Sequence, residues 1–343
     1  METPIAASAA RDDGSTTVAF LGPFTSYSHQ ATKLAFPDEE KWVLQPTGTI
    51  KEVFDRVQST PTRYGVVPFE NSTHGTVTFT LDCLADRASE YPDIAVCGEV
   101  YLDVHHFLLG RFPPSSPPSR EGGEEKEPPN GHPLVPLDHV KRVYSHPQAF
   151  GQTAAFARRH LKGAETIDVS STSRAAELAA ADGSGASAAI AGEMAGRARG
   201  LDVLARCIED RADNTTRFLV LQRRADPAPA TQHPGLPFAS PGAGGGDAYG
   251  GRRYKSLVSF TVAHGRPGAL ADVLDCFRTR SLNLTSISSV PSLVGPFQYL
   301  FFVEFEGSRF DDPEGRVNGV FEDLTKVAER WRWLGSWRNR REK

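Results

Sequence analysis

The sequence predicts an α/β protein that ends in a ferredoxin-like βαββαβ unit, and three observations support this fold class. Short apolar strands alternate with helical segments over residues 17–221, which is the pattern of an α/β domain with a largely parallel sheet. Beyond residue 254 the order becomes strand, helix, strand, strand, helix, strand, as in a ferredoxin-like unit. A stretch rich in Pro and Gly, 225–251, lies between the two patterns and marks a domain boundary.

The strands and helices of the first part follow from local signals. Strands are predicted where short apolar runs end at a turn, over 17–21, 64–67, 140–144 and 218–221. Helices are predicted where apolar or alanine residues recur at helical spacing, over 28–36, around 77–84, and over 147–160, 173–181 and 193–199. Pro68 is expected to close the second strand, because proline lacks the N–H that a sheet ladder uses.

Two of these strand–helix units share a plan that suits an anion. In 17–36 and in 140–160, a strand leads through a turn with Ser and Pro into a helix. The free N–H groups and the dipole at a helix N-terminus attract negative charge. Two such ends that face one another across a cleft would suit a small dicarboxylate, and ordinary βα turns without a ligand are the alternative.

The second part begins with a half-buried strand and an amphipathic helix. Leu270, Val273, Leu274 and Phe277 lie on one face of the helix predicted over 267–280. Strands are predicted at 256–263, 284–290, 297–305 and 331–337, and a second helix at 315–330.

Composition and charge exclude several function classes. The formal net charge of −4 over 343 residues gives no overall attraction to nucleic acid or to anionic membranes. No apolar run reaches the ~20 residues that a membrane span requires. The four cysteines are scattered without a CxxC pair, which predicts free thiols in a reducing compartment instead of disulfides or a zinc site. The N-terminal residues lack a secretory signal, so we expect a cytoplasmic protein.

Four segments, in this order along the chain, resemble the motifs of prephenate dehydratases. They are VAFLGPFTSYS at 18–28, PFENSTHGTV at 68–77, YSHPQAFGQ at 144–152 and NTTRF at 214–218. Each motif alone is weakly specific, but the set in order is strongly specific and covers most of residues 17–222. Thr25 stands where the family commonly has Gly.

The resemblance implies a two-lobed catalytic domain over 15–224, similar to periplasmic binding proteins, with the active site in the cleft between the lobes. We expect one lobe to contain 15–110 and 200–224 and the other to contain 134–195. The segment 113–133 is rich in Pro, Gly and Glu, which is typical of a surface insertion. A flexible linker is expected at 225–253.

Residues 254–343 resemble an ACT domain, the amino-acid-sensing module that often follows this catalytic domain. Gly268, Ala269 and Leu270 match the G-A-L start of its first helix. The family's E-S-R-P motif falls at Ser288-Ser289-Val290-Pro291, where its Glu and Arg are missing. The resemblance implies phenylalanine as an allosteric effector and a homodimer or homotetramer. Too few residues precede the first strand for a fused chorismate mutase domain.

Prephenate dehydratases convert prephenate to phenylpyruvate with loss of carbon dioxide and of the ring hydroxyl as water. Aromatisation drives the reaction, so the resemblance implies neither a cofactor nor a metal. It assigns catalysis to Thr216, whose hydroxyl would donate a hydrogen bond to the departing oxygen. Without the motif, Thr216 would be interpreted as a β-branched residue at a strand start.

The remaining predicted site residues would bind the substrate. Arg217 offers a planar guanidinium for a carboxylate, with a structural arginine as the alternative, and Phe218 would bound the pocket. Asn71, Ser145 and Gln152 are uncharged polar candidates, and an N-cap is the other interpretation of Ser145. Glu70 and Ser26 complete the set, and Glu70 could instead brace its loop.

Three alternatives stay open at the level of sequence. His105 and His106 are interpreted as structural, because adjacent strand residues point apart and no carboxylate stands at metal-ligand spacing. An arogenate dehydratase, whose substrate carries an amine in place of the keto group, has nearly the same sequence requirements. A non-catalytic two-lobed binding protein is also possible, although the intact Thr-Arg-Phe segment at 216–218 argues against it.

Overall fold

The fold has two α/β lobes and a C-terminal βαββαβ unit. The structure is a computed structural model that describes residues 16–59, 62–113, 129–224 and 254–341. The predicted linker 225–253 lies outside the described residues, and so do residues 114–128 of the predicted insertion. The proposed domain boundaries therefore stay a prediction.

The elements follow one another in three groups along the chain. The first group is β1 Thr16–Leu21, α1 Tyr27–Ala35, β2 Trp42–Thr47, α2 Ile50–Gln58, β3 Tyr64–Asn71, β4 Gly75–Thr76, α3 Thr78–Ala85 and β5 Ile94–Asp103. The second group is β6 Phe107–Gly110, β7 Arg142–Ser145, α4 Pro147–Gln152, α5 Ala154–His160, β8 Glu165–Asp168, α6 Thr172–Ala181, β9 Ser187–Ala191, α7 Glu193–Arg199 and β10 Asp202–Ala205. The third group is β11 Thr215–Arg223, β12 Tyr254–Thr261, α8 Ala269–Thr279, β13 Leu284–Pro291, β14 Tyr299–Glu306, α9 Arg316–Val327 and β15 Arg330–Arg338.

Lobe 1 consists of the first group together with β11. Its strand order is β5-β11-β3-β1-β2, and β1 runs parallel to both β2 and β3. β11 enters after the chain has passed through the other lobe, and it pairs antiparallel with β3 and β5. The predicted largely parallel sheet is therefore mixed, because the returning strand arrives in the opposite direction.

Lobe 2 consists of the second group, with strand order β10-β6-β9-β7-β8. β7 runs parallel to β8 and β9, whereas β6 pairs antiparallel with β9 and with β10. The sequence-based division into lobes assigns 107–110 and 202–205 to lobe 1. This is corrected, because both segments complete the sheet of lobe 2 and bury Leu108, Leu109 and Leu204 in it.

Two local predictions also differ from the structure. Pro68 lies inside β3 instead of closing it, at the point where the pairing with β11 shifts register between Arg217 and Phe218. Such an irregularity accommodates a residue that lacks the backbone N–H. The helix predicted over 147–160 is divided at Thr153 into α4 and α5.

The C-terminal unit continues the sheet of lobe 1. Its strand order β13-β14-β12-β15 is that of a ferredoxin-like unit, and β15 pairs parallel with β5 through Gly335 and Val96. A Cβ on Gly335 would lie 2.0 Å from the carbonyl oxygen of Val96, so only glycine permits this approach. One apolar core contains Val67 and Phe69 of lobe 1 together with Leu334 and Trp337 of the C-terminal unit.

A buried cluster of four charges lies across the same boundary. Arg217 and Glu99 belong to lobe 1, whereas Lys255 and Glu304 belong to the C-terminal unit, and all four side chains are at least nine-tenths buried. The guanidinium of Arg217 lies 2.7 Å from Glu99 and also pairs with Glu304. Lys255 Nζ lies 3.3 Å from Glu304 Oε1 and 3.5 Å from Glu99 Oε2. Two cations and two anions leave the cluster neutral, which offsets much of the cost of burying them.

Among the described residues, none of the helices combines the length and the apolar composition that crossing a membrane would require.

The Glu304→Gln variant should unfold more easily, because it leaves an excess positive charge buried. Burial alone would raise the pKa of Glu304, but the charges of Arg217 and Lys255 outweigh it and the pKa is lowered. A lowered folded-state pKa contributes stability above the unfolded-state pKa, and that stability is lost as pH falls through the folded value. We expect the variant to lose about 3 kcal/mol of unfolding free energy at pH 7. The difference in unfolding free energy between wild type and variant should narrow below about pH 4.3, the ordinary pKa of a glutamate.

Urea denaturation followed by circular dichroism from neutral to acidic pH measures both quantities. Glu193→Gln is the matched control, because Glu193 forms an exposed pair with Arg197 and should change little at any pH. If Glu304→Gln loses no unfolding free energy at pH 7, or loses the same amount down to acidic pH, the lowered pKa of Glu304 is contradicted.

Candidate active site

The candidate site lies where β3 ends and β11 begins, beside the segments that connect the lobes. Thr216, near the start of β11, is paired in register with Asn71, the last residue of β3. Both side chains are half-buried. The strand predicted over 64–67 is longer in the structure, and Asn71 is its last residue. The sheet therefore holds this pair in a defined relative position.

The side-chain amide of Asn71 is fully hydrogen-bonded. Its Nδ2 donates to Thr216 Oγ1 over 2.9 Å and to Asn214 Oδ1 over 2.8 Å. Its Oδ1 accepts from the backbone N–H groups of Thr73 and His74, both at 3.0 Å, and from the Thr73 hydroxyl at 2.7 Å. Asn71 thus positions Thr216, and it has little capacity left for the direct substrate contact that the sequence predicted.

The hydroxyl hydrogen of Thr216 remains available. Because Asn71 Nδ2 donates to Thr216 Oγ1, the oxygen acts as an acceptor toward Asn71, and its own O–H is free to donate elsewhere. A hydroxyl held in this way is a preorganised hydrogen-bond donor. Close by, Asn214 is 2% exposed, and its Nδ2 has no partner among the described residues.

Gln152 reaches across from lobe 2. It is the last residue of α4. Its Oε1 lies 2.7 Å from His106 Nε2, and its Nε2 lies 3.3 Å from His74 Nδ1. His106 Nδ1 lies in turn 3.0 Å from the hydroxyl of Tyr27. The structure places Gln152 at the cleft, where the sequence predicts it, and its contact with the substrate stays a prediction.

Three residues of this network are not among the predicted site residues. His74 and Tyr27 stand within two of the quoted motifs, and the sequence favours a structural role for His106. Burial lowers the pKa of His106, and burial, followed by the charge of Glu209, raises the pKa of Tyr27. Both side chains are therefore neutral near pH 7. These residues come together only in the folded protein, since His106 and Gln152 are far apart in the chain. The only indication of Tyr27 and His74 in the sequence is that they lie within the motifs.

Arg217 does not share the pocket with Thr216. Neighbouring residues of a strand point to opposite faces, and both Thr216 and Arg217 lie within β11, which begins at Thr215. The guanidinium lies on the far face, 5.3 Å from the ring of Phe69 and within the buried charge cluster. This corrects the prediction that Arg217 binds a substrate carboxylate, and the structural alternative describes its placement.

Two further predicted contacts are buried. Ser145 is 0% exposed, and its hydroxyl donates to the carbonyl of Ile190 over 2.7 Å, so it neither faces the cleft nor caps α4. The N-cap of α4 is His146. Phe218 is 2% exposed and packs in the core with Phe20 and Val100. Both predictions are corrected, because these side chains hold the strands together.

The last predicted site residues lie at element ends. Ser26 caps α1 by accepting from the N–H of His29 over 3.2 Å. Glu70 lies opposite Arg217 in the β3–β11 register. In the C-terminal unit, Gly268 precedes α8 with φ of 83°, Ala269 is buried, and Leu270 packs against the core of that unit.

The altered motif at 288–291 lies on β13, where Val290 is buried in the core shared with lobe 1. An arginine side chain at position 290 would be difficult to accommodate there. The departure from the family pattern is therefore consistent with the packing of this unit.

Comparisons with known proteins show what this chain is similar to. The family model described as prephenate dehydratase matches residues 18–226. A bifunctional chorismate mutase/prephenate dehydratase of Neisseria gonorrhoeae is 33% identical over 94% of this chain and 74% of that protein.

Two solved structures are similar over most of their length. A prephenate dehydratase from Arthrobacter aurescens, in complex with L-Phe, has a TM-score of 0.71 and 26% identity over 94% of this chain and 89% of that chain. GqqA, described as a novel type of quorum quenching acylase, has a TM-score of 0.69 and 26% identity over 93% of this chain and 96% of that chain.

The turn that precedes α1 contains a residue in a left-handed backbone conformation. Thr25 has φ of 68°, a left-handed conformation that costs a non-glycine residue roughly 1–2 kcal/mol. We expect Thr25→Gly to raise the melting temperature by about 2 °C, since part of the gain is offset by the entropy of glycine. Thr25→Ala keeps the strain and should bring no gain. Scanning calorimetry of the three proteins checks this, and an equal rise in both variants would show that φ is not the cause.

Proposed function

The chain belongs to the prephenate dehydratase family, and we propose that Thr216 is its catalytic residue. The protein is a carbon–oxygen lyase of aromatic amino-acid biosynthesis. It converts prephenate to phenylpyruvate, carbon dioxide and water. The observation that carries the proposal is the hydrogen bond of 2.9 Å from Asn71 Nδ2 to Thr216 Oγ1.

The reaction requires help at the departing oxygen. The electron pair of the bond to the ring carboxylate moves into the ring as carbon dioxide leaves, and the bond to the ring hydroxyl breaks. The oxygen gains negative charge as it departs and takes up a proton from solvent to leave as water, and a donor aimed at it stabilises the transition state. Thr216, with its oxygen held by Asn71, supplies that donor. Threonine is a poor proton reservoir, so it orients and hydrogen-bonds the leaving group more than it acts as a free acid.

The cleft between the lobes supports the same proposal. Gln152 of lobe 2 contacts His74 of lobe 1 and His106 of the connecting segment. His74 Nδ1 lies in turn 3.2 Å from Asn71 Oδ1, so in this proposal the contacts between the lobes limit the access of water to Thr216, which would strengthen hydrogen bonds inside the site. Because Arg217 faces away, the substrate carboxylates would be met by amide, hydroxyl, imidazole and backbone N–H donors, and Ser26 is proposed to line this space. Glu70 is paired with Arg217 and therefore lies on the other face of the sheet, which removes it from the proposed site.

Thr216→Ala should lower kcat at least tenfold and change KM little, because the hydroxyl acts on the leaving group more than on the bound ground state. General acid assistance is worth ~10²–10⁴-fold, and a positioned donor lies toward the low end. Thr216→Ser keeps a hydroxyl and should retain more activity. Thr215→Ala is the matched control. The Thr215 hydroxyl donates to Asp103 over 2.6 Å, so its removal should leave turnover nearly unchanged. Phenylpyruvate formation from prephenate measures all three.

A double-mutant cycle separates positioning from direct contact. If Asn71 acts through Thr216, then Asn71→Ala should lower kcat, and combining it with Thr216→Ala should add little further loss. Unchanged turnover in Thr216→Ala would remove Thr216 from the mechanism. Additive losses would assign Asn71 a separate role. The same assay with arogenate compares the alternative substrate.

We also propose that the C-terminal unit is an ACT domain that binds phenylalanine. Support comes from its βαββαβ order, from Gly268 with φ of 83° at the start of α8, and from the Arthrobacter aurescens relative, which was solved with L-Phe. The charge cluster gives the unit a direct connection to β11, because Glu304 pairs with the neighbour of Thr216. A homodimer or homotetramer in the cytoplasm is part of this proposal, and the free thiols of the four cysteines are consistent with a reducing compartment.

Saturating L-phenylalanine should lower the rate on prephenate and raise the melting temperature, since a ligand that binds the folded state stabilises it. D-Phenylalanine is the control for unspecific effects and should change neither quantity. If L-phenylalanine leaves both the rate and the melting temperature unchanged, the regulatory proposal fails while the catalytic proposal stands.

A further inference from the structure

The two segments that connect the lobes carry three side chains with metal-binding atoms. His105 lies between β5 and β6, and Cys207 and Glu209 lie between β10 and β11. One ligand atom from each residue lies within 4.8 Å of the others. The sequence favours a structural role for His105 because no carboxylate stands at metal-ligand spacing from it in the chain. The carboxylate comes instead from the returning segment.

The three side chains are already partly organised. Glu209 is 4% exposed, and its Oε1 lies 2.7 Å from His105 Nδ1. Its Oε2 accepts from the backbone N–H of His106 over 2.9 Å, which fixes the carboxylate. Cys207 has φ of 47°, a left-handed conformation that is uncommon for a residue other than glycine. The side chain of His105 is 44% exposed, so an ion can reach the group from solvent.

We propose that His105, Cys207 and Glu209 bind a transition-metal ion of the zinc class between the two connecting segments. Imidazole, thiolate and carboxylate are the ligands of zinc, whereas magnesium and calcium prefer oxygen alone. Bonds of about 2.0–2.3 Å at tetrahedral angles place ligand atoms roughly 3.5 Å apart. His105 Nδ1 and Glu209 Oε1, at 2.7 Å, are closer than that value, and the other separations are at most 4.8 Å, so rotation of the exposed His105 and of Cys207 closes the site. The thiol proton of Cys207 leaves to solvent on binding, and water takes the fourth position.

The site would join the two covalent connections between the lobes. His105 is on the outgoing connection, whereas Cys207 and Glu209 are on the returning one, so a bound ion would restrict motion of one lobe against the other. The same segment contacts the active site, because the carbonyl of His105 accepts from the Tyr27 hydroxyl over 2.9 Å. Metal binding is therefore expected to slow turnover.

Titration of the full-length reduced protein with Co²⁺ tests the site without reference to activity. We expect a thiolate-to-cobalt charge-transfer band and tetrahedral d–d bands at one equivalent, both removed by Zn²⁺. Cys207→Ser should lose the charge-transfer band, and Glu209→Gln should weaken binding roughly tenfold or more. Cys83→Ser, which alters a thiol on α3, should keep the full signal. Melting temperatures of the variants show that each is folded.

Absence of the charge-transfer band in the wild-type protein would overturn the proposal, as would a band that persists in Cys207→Ser. The proposed effect on turnover is tested by adding Zn²⁺ to both proteins in the prephenate assay. Wild type should slow and Cys207→Ser should not. Equal inhibition of wild type and Cys207→Ser would overturn the proposed link between metal binding and lobe motion. Basal activity that is unchanged in Cys207→Ser without metal distinguishes this outcome from a failure of the catalytic proposal.

Discussion

The buried pairing of Arg217 with Glu99 and Glu304 is the constraint around which the molecule is arranged. It lies on one face of β11, and Thr216 lies on the other, so a single strand carries the domain contact and the hydroxyl that we propose as catalytic. A buried cation requires its counter-charges close by, and here one of them comes from each domain. The C-terminal unit is therefore bound to lobe 1 by charge neutrality as well as by the apolar core and by the close approach at Gly335. The pair of Arg217 with Glu304 connects this unit directly to the residue next to Thr216.

The catalytic capacity of the fold depends on few side chains. A similar structure is described as a quorum quenching acylase, so the architecture itself does not determine the reaction. In this chain the saturated amide of Asn71 leaves the hydroxyl of Thr216 as the donor that we propose for catalysis. Gln152, His106 and Tyr27 form a connected network, and burial keeps the last two neutral. The site is thus a set of neutral donors and acceptors whose positions are determined by two lobes and their connections.

Much of the fold could be predicted from the sequence, because periodicity and turn residues are local. The elements of the C-terminal unit and the helices near 173–181 and 193–199 agree closely with the structure. The path of the chain between lobes could not be predicted, since β6 and β10 are short apolar runs whose partners are tertiary. For the site, motif positions indicated Thr216, Asn71 and Gln152. They could not show which face Arg217 occupies or that Ser145 is buried, because both depend on strand register. His105 and Glu209 meet only after the chain has returned.

The position of β11 between β5 and β3 also constrains the order of assembly during synthesis. Residues 64–103 emerge from the ribosome long before residues 215–223, and all of lobe 2 is made in between. Until β11 arrives, the strands that will flank it have unpaired edges, which are sites of unwanted pairing between chains. Lobe 2, whose strands are contiguous in the chain apart from the residues outside the described ranges, can complete its sheet first. The nascent protein therefore gains Thr216 and closes lobe 1 in the same step, so a chain that stops before residue 215 has neither an intact first lobe nor the hydroxyl that we propose as catalytic.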